Sequence, residues 1–191
     1  MTTTTTATPS SPAVASWTID PVHSLVEFSA KHMMITTVKG RIPDVRGTVT
    51  IDETNPEASV VEVEFDPASI DTRAEQRDQH LRSADFLDVE QFPVLSFRSR
   101  RIEGSPLADG GSFRLIGDLT IRGVTREVAL DATFEGRGTD PWGTEKVSFS
   151  AATKIDRRDF GLTWNAALET GGVLVSNDVK IHLEVQAARA A

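Results

Sequence analysis

VTREVALDATF, residues 124–134, decides the fold class. Val124, Val128, Leu130, Ala132 and Phe134 fall on one face of an extended chain, and Thr125, Glu127, Asp131 and Thr133 fall on the other. A repeat of two is the sign of a strand with one face buried and one face wet. The same alternation runs outward in both directions. Downstream, EKVSFSAATKI aligns Val147, Phe149, Ala151 and Ile155, and VKIHLEVQA aligns Val179, Ile181, Leu183 and Val185. Upstream it groups Phe113, Leu115, Leu119 and Ile121, then Leu95 with Phe97, then Val61, Val63 and Phe65, and then Val45, Val49 and Ile51 after an expected turn at Gly40. Turn-forming residues separate these runs at 54–57, 103–111, 122–123 and 136–143.

With VHSLVEFSAKHMM at the front, the reading is mainly β, with about eight antiparallel strands on hairpin-sized connections, either a sandwich or a barrel. Every strand has an apolar face and none reads as an edge, which favours closure into a barrel. An eight-stranded barrel can fill its interior with side chains or hold one small ligand. Periodicity alone leaves that choice open.

Composition narrows the function. The chain of 191 residues, 39% hydrophobic, suits one domain with a sizeable core. A net charge of −8 argues against a nucleic-acid partner, since phosphate binding needs clustered Lys and Arg. The absence of cysteine removes disulfides, thiolate metal sites and a cysteine nucleophile. Residues 1–16 are rich in Thr, Ser and Pro, with no basic segment followed by an apolar run; they read as a disordered tail on a cytoplasmic protein without membrane insertion, with the domain over 17–191.

One stretch breaks the strand pattern. TRAEQRDQHLRSADFLDVEQFP, residues 72–93, has Thr72 and Glu75 in capping-box spacing, which predicts a helix of about three turns ending at Ser83. Its apolar stripe of Ala74, Leu81 and Ala84 is thin, as expected of a helix laid across or beside a barrel. Ser83 or Asp85 caps a second short turn anchored by Phe86, Leu87 and Phe92. The polar cluster of Asp78, His80, Asp85 and Asp88 invites a metal reading. However, residues two apart on a helix diverge, and His23, His32, His80 and His182 form no ligand motif, so these polar groups are expected to face solvent and no metal is expected. Ser24 follows His23 directly and so points to the opposite face, and no nucleophile elbow or phosphate-binding glycine pattern is present. Catalysis is not expected.

Two further features bear on a ligand. In VHSLVEFSAKHMM the face carrying Val22, Val26, Phe28, Ala30 and Met34 also carries His32, placing an imidazole inward, as a core histidine or as a polar contact for a greasy ligand. The segment 159–176, DFGLTWNAALETGGVLVS, is unusually apolar for a loop, with Phe160, Leu162 and Trp164; it is expected to pack in the core or over the barrel mouth.

The pieces WTIDPVHSLVEFSAKHM, VKGRI, SIDTR, DQHLRSADFLDVEQFPVLSF, GDLTIRGVTREVAL and DRRDFGL, in this order, resemble the YceI-like family of lipocalin-like, polyisoprenoid-binding proteins. The resemblance spans 17–188. It implies a lipocalin-like eight-stranded antiparallel β-barrel holding a long isoprenoid or similar amphiphilic lipid as its only bound group, without catalysis, and allows a homodimer. Many relatives are exported, unlike the cytoplasmic expectation here. Inward facing then nominates Phe28, His32, Phe65, Phe97, Leu119 and Phe149 along the tunnel, with Phe160 and Trp164 near an opening. The alternative function is a filled-core barrel serving as a stress-response interaction module.

Overall fold

The computed structural model describes residues 14–104, 106–107, 110–169 and 171–190. Ten strands form one antiparallel sheet: β1 (Val14–Ile19), β2 (Leu25–His32), β3 (Thr36–Arg41), β4 (Val45–Asp52), β5 (Val60–Phe65), β6 (Leu95–Gly104), β7 (Ser112–Ile121), β8 (Val124–Thr139), β9 (Glu145–Asp156) and β10 (Val175–Arg189). A single α-helix among the described residues, α1 (Glu75–Arg82), lies in the long β5–β6 connection.

The sheet order is β1-β4-β5-β6-β7-β8-β9-β10-β2-β3, and β1 also pairs with β10, which closes eight strands into a barrel. Closure is made by Trp17 opposite Arg189 and Ile19 opposite Ala187. The hairpin β2–β3 is additional to the ring. It joins β10 over the stretch before the β1 pairing, from Val175 opposite His32 to Glu184 opposite Leu25. One long strand therefore serves two partners, because the chain leaves the ring after Ile19 in a short 3-10 turn, Pro21–His23, capped by the Asp20 carboxylate on the Val22 N–H.

The expected alternation is realised in β8, where Leu130, Ala132 and Phe134 are buried. Two boundaries differ from the sequence reading. Strand β1 begins at Val14, so Val14–Ser16 belong to the sheet rather than to a tail, while residues 1–13 lie outside those described. Gly40 is not a turn but a buried position of β3, opposite Phe28. A side chain there would meet the Phe28 ring at 2.3 Å, so only glycine lets that ring pack flat against the neighbouring strand.

The helix also departs from expectation at its start. It spans eight residues, begins after Ala74, and has no side-chain cap. Thr72 instead offers its N–H (2.9 Å) and its hydroxyl to Asp78, while Arg77 donates to the Thr72 hydroxyl at 2.7 Å and to its carbonyl at 2.8 Å. Asp78 is consequently buried, at 4% exposure, and Asp88, beside Arg122, is buried at 8%; neither is turned to solvent as expected. The reason is tertiary. Asp71 bridges Arg41 of β3, and Thr72 is drawn inward with it, out of capping position.

Candidate functional site

The inward faces of the strands do not fill the barrel. They leave a cavity of about 300 Å³ whose surface is apolar throughout. Its wall takes in Ile51, Ile102 and Leu107 toward one end and Ile70, Leu81 and Leu162 toward the other, so the void runs along the barrel. A void of this size falls at the lower end of the range for ligand pockets. Left empty, it would weaken the fold by on the order of 7 kcal/mol at about 24 cal/mol per Å³, comparable with the whole stability of a domain. The filled-core alternative is therefore not the arrangement observed.

Five of the nominated residues meet at this wall: Phe28 from β2, Phe65 from β5, Phe97 from β6, Leu119 from β7 and Phe149 from β9. Phe97 and Leu119 are direct cross-strand partners, so they present one continuous surface. The Phe149 ring packs against Phe134 at 5.2 Å and edge-on to Phe113 at 6.3 Å, which fixes its orientation at the wall.

The other three are placed elsewhere. His32 is the half-exposed last residue of β2 and is not part of the wall. His32 is in phase with Val26, Phe28 and Ala30, which do line the void, but the void does not reach the end of the strand; Val22, in the 3-10 turn at 83% exposure, and Met34, in the next turn at 61%, lie outside β2 altogether. Phe160, 1% exposed, ends the 3-10 turn Arg157–Phe160 and belongs to the packed core, again outside the wall. Trp164 stands one layer behind: its ring lies 5.2 Å from Phe86, and Phe86 does line the cavity.

Trp164 also explains His80. The imidazole sits edge-on to Trp164 at 4.6 Å and to Phe86 at 5.0 Å, and its Nε2 is 2.9 Å from the Asp85 carboxylate. Asp78 and His80 do diverge, and His80, its side chain still 38% exposed, also fastens α1 to the segment around Trp164. Leu81, Phe86 and Leu87 turn inward beneath it and form part of the wall. Helix and segment together cover this end of the cavity.

The residue that sequence reasoning missed is Arg157. It is 3% exposed, on the wall, and donates to the carbonyls of Ser176 (3.0 Å), Leu162 and Trp164 (2.9 Å). Burial pushes its guanidinium pKa down, partly opposed by the neighbouring Asp156 carboxylate. Three carbonyl acceptors in place of an acid make it a clamp that holds the segment closed on the barrel. Arg158, its neighbour, points outward and pairs with Asp156, holding that carboxyl at about 2 by side-chain and backbone hydrogen bonds. An Arg-Arg pair in sequence gives no hint that one guanidinium is buried and the other free to pair at the surface.

Among the described residues no group of three or more His, Cys, Asp or Glu converges, and no helix is long and apolar enough to cross a membrane. The profile of the YceI-like domain matches residues 17–187. Protein YceI of Salmonella newport is 40% identical over 141 residues, 74% of this chain and 72% of that protein. A UPF0312 protein of Pectobacterium atrosepticum is 36% identical over 167 residues, 87% of this chain and 82% of that one. Among solved structures, the YceI protein of Campylobacter jejuni superimposes with a TM-score of 0.70 at 30% identity, covering 84% of this chain and 90% of its own. A polyisoprenoid binding domain from Saccharophagus degradans, implicated in plant cell wall breakdown, shares the fold at a TM-score of 0.70 and 15% identity, over 92% of this chain and 99% of that one.

Proposed function

The chain belongs to the YceI-like family, and on that footing we propose that its barrel binds the hydrocarbon tail of a long-chain lipid, a polyisoprenoid or a similar amphiphile, as a carrier or sequestering protein. The observation that carries this reading is the apolar void along the barrel axis, lined by Phe28, Phe65, Phe97, Leu119 and Phe149. Each CH₂ buried there contributes about 0.8 kcal/mol, so a few prenyl units suffice without any specific polar contact. Ordering the flexible tail offsets part of that gain. The apolar character of the whole inner surface supports binding by burial rather than by chemistry. Arg157, at the covered end, is one of the polar residues that border the void and is the one we assign to a head group.

The test is an organic extract of gently purified protein, analysed by mass spectrometry, together with titration of the stripped protein with geranylgeraniol. Co-purified lipid or saturable binding is expected; an extract free of lipid and no saturation would end the proposal.

A further inference from the structure

The turn between β2 and β3 carries side chains that its backbone does not favour. Its central residues, Met33 and Met34, have φ of 53° and 60°, and the Ile35 N–H closes the turn on the His32 carbonyl at 3.1 Å. Two successive positive φ values call for Asn-Gly or Asp-Gly, polar and small. Here they hold two methionines, exposed at 41% and 61%, followed by Ile35 at 76%. Backbone strain and exposed apolar surface are thus accepted together at one apex, a combination that points to use.

The surroundings say for what. From Phe28 to Pro43 the sequence contains no acid, although the chain has 28 Asp and Glu; Lys31, Lys39 and Arg41 lie in that stretch. Lys39 and Arg41 are paired with Glu27 and Asp71, leaving Lys31 as the exposed cation beside the apex. The apex is also tied to the cover of the cavity: the Met33 N–H donates to the Leu174 carbonyl at 2.7 Å, and Val173, 38% exposed, lies next to it in sequence. Val175, the following residue, lines the void.

We propose that the Met33-Met34-Ile35 apex, with Lys31 at its flank, is a docking point for a lipid bilayer surface, bringing the covered end of the cavity to the membrane for loading or release. Three side chains at a hairpin tip are too few for a stable protein interface, which needs about 800 Å² from each partner. They suit shallow insertion among acyl chains, where flexible methionines adapt and a nearby Lys meets phosphate. This rests on the lipid-carrier reading, but it is separable from it.

The experiment is co-sedimentation with vesicles of equimolar phosphatidylcholine and phosphatidylglycerol, comparing the wild type with the double variant Met34→Ser, Ile35→Ser, with Lys31→Glu, and with Trp142→Ser. Trp142 is the control, 86% exposed on the separate β8–β9 turn. The double variant is expected to partition at least tenfold more weakly, Lys31→Glu about threefold more weakly, and Trp142→Ser like the wild type. Binding of geranylgeraniol added without vesicles is expected to be the same in all four. Equal partitioning of wild type and double variant, or loss in Trp142→Ser instead, overturns the docking assignment; so does a wild-type dimer that the double variant dissolves without any vesicle binding. Failure of free geranylgeraniol to bind the wild type would remove the carrier reading and leave the vesicle result standing on its own.

Discussion

Asp78 of α1 and Thr72, six residues earlier, form a closed pair: one carboxylate oxygen accepts from both the backbone N–H and the hydroxyl of Thr72, and both residues are buried. The pair fixes the approach of the helix to the barrel end, since Leu81 on the same helix lines the cavity. Removing the carboxylate leaves two donors buried without an acceptor, at about 1–3 kcal/mol. Asp78→Ala is expected to lower the urea midpoint accordingly. Asp78→Asn, which keeps one acceptor, should lose less. Equal effects of the two would show that the hydrogen bonds do not hold the helix.

Filling the void should separate binding from folding. Ala151 of β9 lines the cavity at half-burial, beside Phe149 and opposite Leu183. Ala151→Phe is expected to weaken geranylgeraniol binding at least tenfold while leaving thermal stability equal or raised, because the added ring occupies space now empty. Calorimetric titration and a melting curve check both halves.

Gly40 seats Phe28. A methyl group at residue 40 would overlap the Phe28 ring and also approach the Thr72 methyl at 2.7 Å. Gly40→Ala should therefore cost about 1–3 kcal/mol through overpacking and push the Phe28 ring into the cavity. The expected readout is a lowered melting temperature together with a changed affinity for the tail. Unchanged affinity would show that the ring finds another rotamer away from the void.

Arg157 should govern how tightly the end is covered. Arg157→Met keeps the aliphatic stem and removes the donors to Ser176, Leu162 and Trp164. Faster amide exchange over 162–176 and a faster ligand off-rate are expected, with exchange in β7 and β8 unaltered. Arg157→Lys, which cannot reach three carbonyls at once, should behave closer to Met than to the wild type.

The acid limb has an assigned sign. Asp156 titrates at about 2, against 3.8 for an ordinary Asp, chiefly because Arg158 donates to it by side chain and by backbone N–H. A depressed carboxyl contributes stability that is complete above the unfolded value and is lost as pH falls from about 3.8 toward about 2. Asp156→Asn should flatten the pH dependence of the melting temperature in that window, because it lowers the melting temperature above about 3.8 and leaves it unchanged below about 2. The pair is exposed, so the change is expected to be small.

The strands were legible because one side of each is buried against an apolar interior, and that constraint writes itself as a repeat of two. Phe97 and Leu119 could be assigned to a common interior from this alone. What could not be read depended on partners distant in sequence. Thr72 and Glu75 have the spacing of a cap, yet the bridge between Asp71 and Arg41 decides where Thr72 points. His32 follows the alternation of Val26, Phe28 and Ala30, but alternation does not reveal how far along a strand the void extends, and His32 ends β2 beyond it. Arg157 carries no local signal at all. Its acceptors are carbonyls of a segment whose path is set by the rest of the fold.

The closing seam joins Trp17 to Arg189, so the first strand of the ring in chain order is shut by the last. A ring shut by such a pair cannot be completed by a growing chain until β10 has left the ribosome. Until then β1 and β9 each expose an unpaired edge, and the greasy lumen stands open along its length. The nascent protein is thus most exposed to aggregation just before β10 emerges, and a truncation before Ala187 would make that state permanent.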